Sequence, residues 1–116
     1  MCEPGESKPG SGNERPMRIR VLFFDGCPNS QPTFDLVRRI AAVQEPDAVI
    51  ERIEVGSEQE AARLRFLGSP TVRINGVDIE PASRQRINFA MVCRLYGESG
   101  VPTAELITAA IREAAG

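Results

Sequence analysis

Val21-Leu22-Phe23-Phe24-Asp25-Gly26-Cys27-Pro28-Asn29-Ser30-Gln31-Pro32 joins an apolar run to a polar one, and a cysteine stands at the joint. From Arg18 to Phe24, Ile19, Val21 and Phe23 alternate with Arg18, Arg20 and Leu22, which predicts a strand. The unbroken stretch Val21 to Phe24 predicts burial on both faces, as in a central parallel strand. From Gln31 to Val43 the apolar period lengthens, and Phe34, Val37, Ile40 and Ala41 fall on one side of a helix. Pro32 fits only a first helical turn, so the regular helix is expected to begin at Ser30 or Gln31. Cys27 thus lies at a strand-to-helix junction, near backbone N–H groups that favour a thiolate. Its offset from the helix start weakens that field, which fades within about one turn.

Downstream, Val49 to Val55 reads as strand two, with Val49, Ile53 and Val55 on one face. Ser57-Glu58-Gln59-Glu60 is a capping box opening a second helix to about Leu67, where Gly68 suits the left-handed closing position. Thr71 to Ile74 reads as strand three. Asn75-Gly76 is a hairpin signal, so Val77 to Ile79 is expected as an antiparallel strand four. Ile87 to Tyr96 is open between a short helix and a loop packed by Ile87, Phe89, Val92 and Leu95. Pro102 opens a last helix in its first turn, with Leu106, Ile107, Ala110, Ile111 and Ala114 as its stripe. The expected fold class is α/β, in the order β-α-β-α-β-β-α, with a mixed four-stranded sheet flanked by helices. A right-handed crossover should make strands one and two parallel.

The 116 residues suffice for one core, expected over residues 17–116. Residues 1–16, rich in Gly, Pro, Ser, Glu and Lys, read as a disordered tail; Cys2 falls within it and is assigned no role. A net charge of -2 argues against a nucleic-acid surface. The absence of histidine removes the usual triads and His-rich metal sites. Three cysteines do not make a disulfide framework, and no signal-peptide core or bilayer-length apolar run is present, so a cytoplasmic monomer without membrane contact is expected.

The order of elements, Cys27-Pro28-Asn29-Ser30 after the first strand, and Ser69-Pro70-Thr71 before the third, resemble the thioredoxin-like superfamily, in particular its glutaredoxin-sized members. The resemblance covers roughly residues 17–116. It implies a cis bond at Ser69-Pro70 and a site in which Ser69, Pro70 and Thr71 bind an extended thiol substrate in strand fashion. The departures are specific. Gly26 replaces an aromatic residue, the motif is a monothiol Cys-x-x-Ser, and Glu80-Pro81-Ala82-Ser83 does not match a glutathione-binding loop. No cofactor is expected.

Cys27 is the expected nucleophile. Ser30 cannot resolve a mixed disulfide; it either donates to the Cys27 thiolate or caps the first helix. Cys93 is the candidate resolving thiol, since the chain leaving strand four emerges near Cys27; a small apolar core position is its other reading. Asp25 is a candidate proton carrier or a cap at the strand end. Arg73, Arg84, Arg86 and Arg94 read either as holders of an anionic substrate or as solvated surface. Three functions remain open. One is a thiol–disulfide oxidoreductase acting on a protein or small-molecule thiol, with Cys93 or an external thiol closing the cycle. Another is a soft-metal binder for copper or mercury, akin to organomercurial lyase-type proteins, which requires Cys27, Cys93 and Asp25 to converge. The last is a thioredoxin-fold binding protein without catalysis.

Overall fold

The computed structural model describes residues 16–116; the expected N-terminal tail and Cys2 lie outside the described residues. Four strands form one mixed sheet: β1 (Arg18–Phe23), β2 (Val49–Glu54), β3 (Thr71–Ile74) and β4 (Val77–Asp78). Their order across the sheet is β2-β1-β3-β4. β1 is central, parallel to β2 and antiparallel to β3, and β4 closes the sheet antiparallel to β3. The helices are α1 (Ser30–Gln44), α2 (Glu58–Arg63) and α3 (Ala104–Ala115). Among the described residues, no helix is long and apolar enough to cross a membrane.

The period-2 pattern of β1 divides the core. Ile19 and Val21 join Val37, Ala41, Val72, Ile74, Ile107 and Ile111 on the face covered by α1 and α3. Leu22 points the other way, into a smaller cluster with Val55, Ala61 and Phe66. The expected two-sided burial of β1 therefore holds. In α1 the buried stripe is Ser30, Thr33, Val37 and Ala41, with Phe34 and Ile40 half-buried at its margin. β2 is an edge strand, and Val49 is exposed rather than buried beside Val55.

Helix α2 stops at Arg63, well short of Leu67. Its capping box forms in part as expected: Ser57 Oγ accepts the Glu60 N–H at 3.1 Å, while Glu60 reaches Gly56 N–H at 2.7 Å. Arg65, not Gly68, takes the left-handed closing position, at φ 57°. Phe66 N–H then donates to Ala61 O, Arg65 N–H donates to Ala62 O, and Phe66 drops into the core. The Arg73 side chain donates to Leu64 O at 2.7 Å and also to Arg65 O, finishing the helix end. Asn75 and Gly76, both at positive φ, turn β3 into β4. In α3, Thr103 caps Leu106 N–H at 3.1 Å, which places Pro102 before the helix; Ala114 is exposed, so the buried stripe is Ile107, Ala110 and Ile111.

Candidate thiol site

The turn that ends β1 presents Cys27. Phe24 O accepts the Cys27 N–H at 3.3 Å, and Gly26 supplies the positive φ of 87° that the turn requires. Cys27 is only 8% exposed and precedes the first residue of α1 by three positions. Ser30 Oγ donates to the Cys27 carbonyl oxygen at 3.1 Å. Neither expected role for Ser30 is thus seen: its hydroxyl holds the backbone of the thiol residue, and Asn29 occupies the N-cap without a side-chain capping bond. Asp25 is exposed at the tip of the turn and, among the described residues, makes no hydrogen bond or ion pair.

The Ser69–Pro70 bond is cis. Leu22 pairs with Thr71 in the β1–β3 register, which carried on two residues sets Phe24 opposite Ser69. The Phe24 N–H donates to Ser69 Oγ at 3.4 Å, tying the Cys27 turn to the proline segment. On the far side of Ser69 lies Cys93, in a parallel bridge with it. Ser69 N–H donates to Val92 O at 2.8 Å, and Arg94 N–H donates to Ser69 O at 3.0 Å. Both thiols are free, Cys27 buried and Cys93 exposed.

After a single 3₁₀ turn at Pro81–Ser83, residues 84–100 hold Cys93 as an irregular strap across the motif end of the sheet, not as a helix. Of the four residues expected to pack it, Ile87, Val92 and Leu95 are exposed, Ile87 to 76%, and Phe89 alone is half-buried. Arg94 and Tyr96 pack it instead. Arg94, 3% exposed, bonds Asp78 through both terminal nitrogens at 2.8 Å, and Glu80 at 3.2 Å. It also donates to Thr71 Oγ1 at 3.2 Å and lies 4.5 Å from the Tyr96 ring centre. Burial pulls the Arg94 guanidinium down, but its hydrogen bonds to Asp78, the nearby Tyr96 and the Glu80 contact hold it above its ordinary value. Tyr96 donates its hydroxyl to Pro70 O at 2.6 Å, and burial pushes that hydroxyl well above its usual range, against the pull of Arg94. Further along, Gly100 rests on Asn29: a Cβ there would stand 2.1 Å from Asn29 Nδ2.

The expected site residues sort accordingly. Ser69, Pro70 and Cys93 come together, and the turn that carries Cys27 adjoins them through Phe24. Thr71 is close by, but its hydroxyl is bonded internally, donating to Gly68 O at 2.6 Å and accepting from Arg94. Of the arginines, Arg94 is buried and not surface, Arg73 caps α2, and Arg84 pairs with Glu113 at 2.8 Å. Cys27, Cys93 and Asp25 do not make a three-group metal set; among the described residues no such cluster of acidic and thiol groups occurs. Sequence reasoning gave Arg94 a different role and singled out neither Asp78 nor Tyr96, the two residues that fix the strap with it. Comparison with family models, with curated proteins and with solved structures gives no match.

Proposed function

We propose that the chain is a thioredoxin-like thiol–disulfide oxidoreductase in which Cys27 attacks and Cys93 resolves. One observation carries the proposal: Ser69 links the two segments, its hydroxyl accepting from Phe24, three residues before Cys27, and its backbone bridged to Cys93. The sheet order, the position of the cysteine between β1 and α1, and the cis Ser69–Pro70 bond beside the end of β1 support the thioredoxin-like reading.

The Cys27 thiolate attacks one sulfur of a disulfide RS–SR, forming a Cys27 mixed disulfide and releasing one thiolate RS⁻. The Cys93 thiolate then attacks the Cys27 sulfur, releasing the second RS⁻ and leaving a Cys27–Cys93 disulfide. Two electrons pass from the protein thiols to the substrate, whose thiolates take up the two protons. An external dithiol returns both to the protein. Ser30 steadies the Cys27 carbonyl during the exchange, and the strap keeps Cys93 in place.

Turnover of a small disulfide with an external dithiol tests the proposal. Cys27→Ser should abolish it with the fold intact, and in a single turnover without the external dithiol Cys93→Ser should stop at a Cys27 mixed disulfide. Full residual activity in Cys27→Ser would remove the thiol from the mechanism. The burial of Cys27 favours a second reading, a binding protein without catalysis, for which the wild-type chain would show no turnover.

A further inference from the structure

We infer that Val92–Arg94 is a built-in strand filling the place beside Ser69 where an extended substrate would pair, and that it restricts Cys27 to small disulfides and thiols. This rests on Cys27 being the nucleophile.

Ser69 has one backbone donor and one acceptor, and both are taken. The N–H goes to Val92 O at 2.8 Å, and the carbonyl receives Arg94 N–H at 3.0 Å. A peptide adding itself as a strand needs those two groups. The residue that the strap sets opposite Ser69 is itself a cysteine, Cys93, so the protein presents its own thiol where a bound polypeptide would present one.

The strap is held from several sides. Ala90 N–H donates to Phe66 O at 3.0 Å upstream of the bridge. Downstream, the Arg94 guanidinium is buried on Asp78, Glu80 and Thr71, and the Tyr96 hydroxyl on Pro70 O. Gly68 lies directly beneath: a Cβ there would stand 2.9 Å from Val92 O and 3.0 Å from Arg94 Cβ, at a φ of +118°. The backbones meet with no side chain between them, which only glycine permits. A polypeptide could enter only by lifting this segment and unpairing a buried charge. A small disulfide needs no backbone partner. It needs only a sulfur in line with Cys27, whose exposure is slight.

Amide hydrogen exchange of the full chain reads the pairing, and kinetics read its consequence. Ser69 and Arg94 N–H should exchange as slowly as the β1–β3 ladder. Turnover of cystamine should exceed that of the same aminoethyl mixed disulfide on a central cysteine of a linear peptide by roughly tenfold or more in kcat/KM. Gly68→Ala, which crowds Val92 and Arg94, should speed exchange at both amides and narrow that ratio. Tyr96→Phe, which removes only the bond to Pro70 O, should do so to a smaller degree and guards against a misfolded Gly68→Ala. Rapid exchange of the two amides in the wild type would overturn the inference. So would peptide turnover equal to that of cystamine while the amides stay protected. Protected amides with no turnover of either disulfide would overturn the oxidoreductase reading, and the substrate restriction with it, while leaving the strap pairing in place.

Discussion

Arg94 and Asp78 meet through two parallel 2.8 Å hydrogen bonds, with both side chains almost wholly withdrawn from water. One lies on the irregular strap and the other at the end of edge strand β4, so the pair fastens the Cys93 segment to the sheet. An ion pair of this kind contributes little beyond what apolar packing would, but breaking it strands a buried charge. Arg94→Met should therefore destabilise the protein by about 3–5 kcal/mol. Urea unfolding measures this; a loss within the usual surface range of about 0.5 kcal/mol would show that the carboxylates find water instead.

Tyr96 is the only tyrosine, so its ionisation can be followed by absorbance without assignment. Its hydroxyl is raised from an ordinary 10.0, first by burial, with the charge of Arg94 opposing. The sign follows from proton counts. Above pH 10.0 the unfolded chain loses this proton while the folded chain keeps it, so the folded state binds more protons and stability falls as pH rises. The slope from this group approaches about 1.4 kcal/mol per pH unit, and the contribution is fully present below pH 10.0. Tyrosinate absorbance should appear only as the chain unfolds, and Tyr96→Phe should flatten the alkaline limb. Titration of the phenol near 10.0 in the folded protein would contradict its burial.

Asp25 tests the reach of the site. It is exposed on the turn beside Cys27 and has no partner among the described residues. Asp25→Asn should leave stability within about 0.5 kcal/mol. Its effect on disulfide turnover should stay below about tenfold, whereas loss of a proton-transferring group costs roughly 10²–10⁴-fold. A drop in that larger range, at unchanged stability, would make Asp25 part of the exchange.

Much of the frame was legible because it rests on local signals. Alternation marked β1, the Ser57–Glu60 box opened α2, and Asn75-Gly76 joined β3 to β4. The errors have tertiary causes. No glycine announces the end of α2, because Arg65 accepts the left-handed conformation so that Phe66 can enter the core and Arg73 can cap the exposed carbonyls. Arg94 reads as surface because an arginine is normally solvated; its partner Asp78 stands 16 residues earlier on another element, beyond any local pattern. Ile87, Val92 and Leu95 looked like packing residues for the same reason: apolarity alone does not reveal that Arg94 and Tyr96 anchor the strap. The place of Cys27 after β1 and the cis Ser69–Pro70 bond were legible from their motifs, but the occupation of Ser69 by the strap was not, since residues 82–100 have no regular period.

Thr103→Ala offers a control outside the site. It removes the cap on Leu106 N–H and should cost about 1 kcal/mol while leaving turnover per folded molecule unchanged. Urea unfolding and steady-state kinetics on the same preparation check both halves, and a matching loss of turnover would tie α3 to the thiol site.

The most direct measurement is peptide mapping by mass spectrometry after mild oxidation of a Cys2→Ser chain, with alkylation rates recorded at Cys27 and Cys93 beforehand. The account predicts rapid alkylation of Cys27, which is lost on oxidation as a Cys27–Cys93 disulfide forms within single molecules. Slow alkylation of Cys27, with no internal disulfide after oxidation, would contradict it.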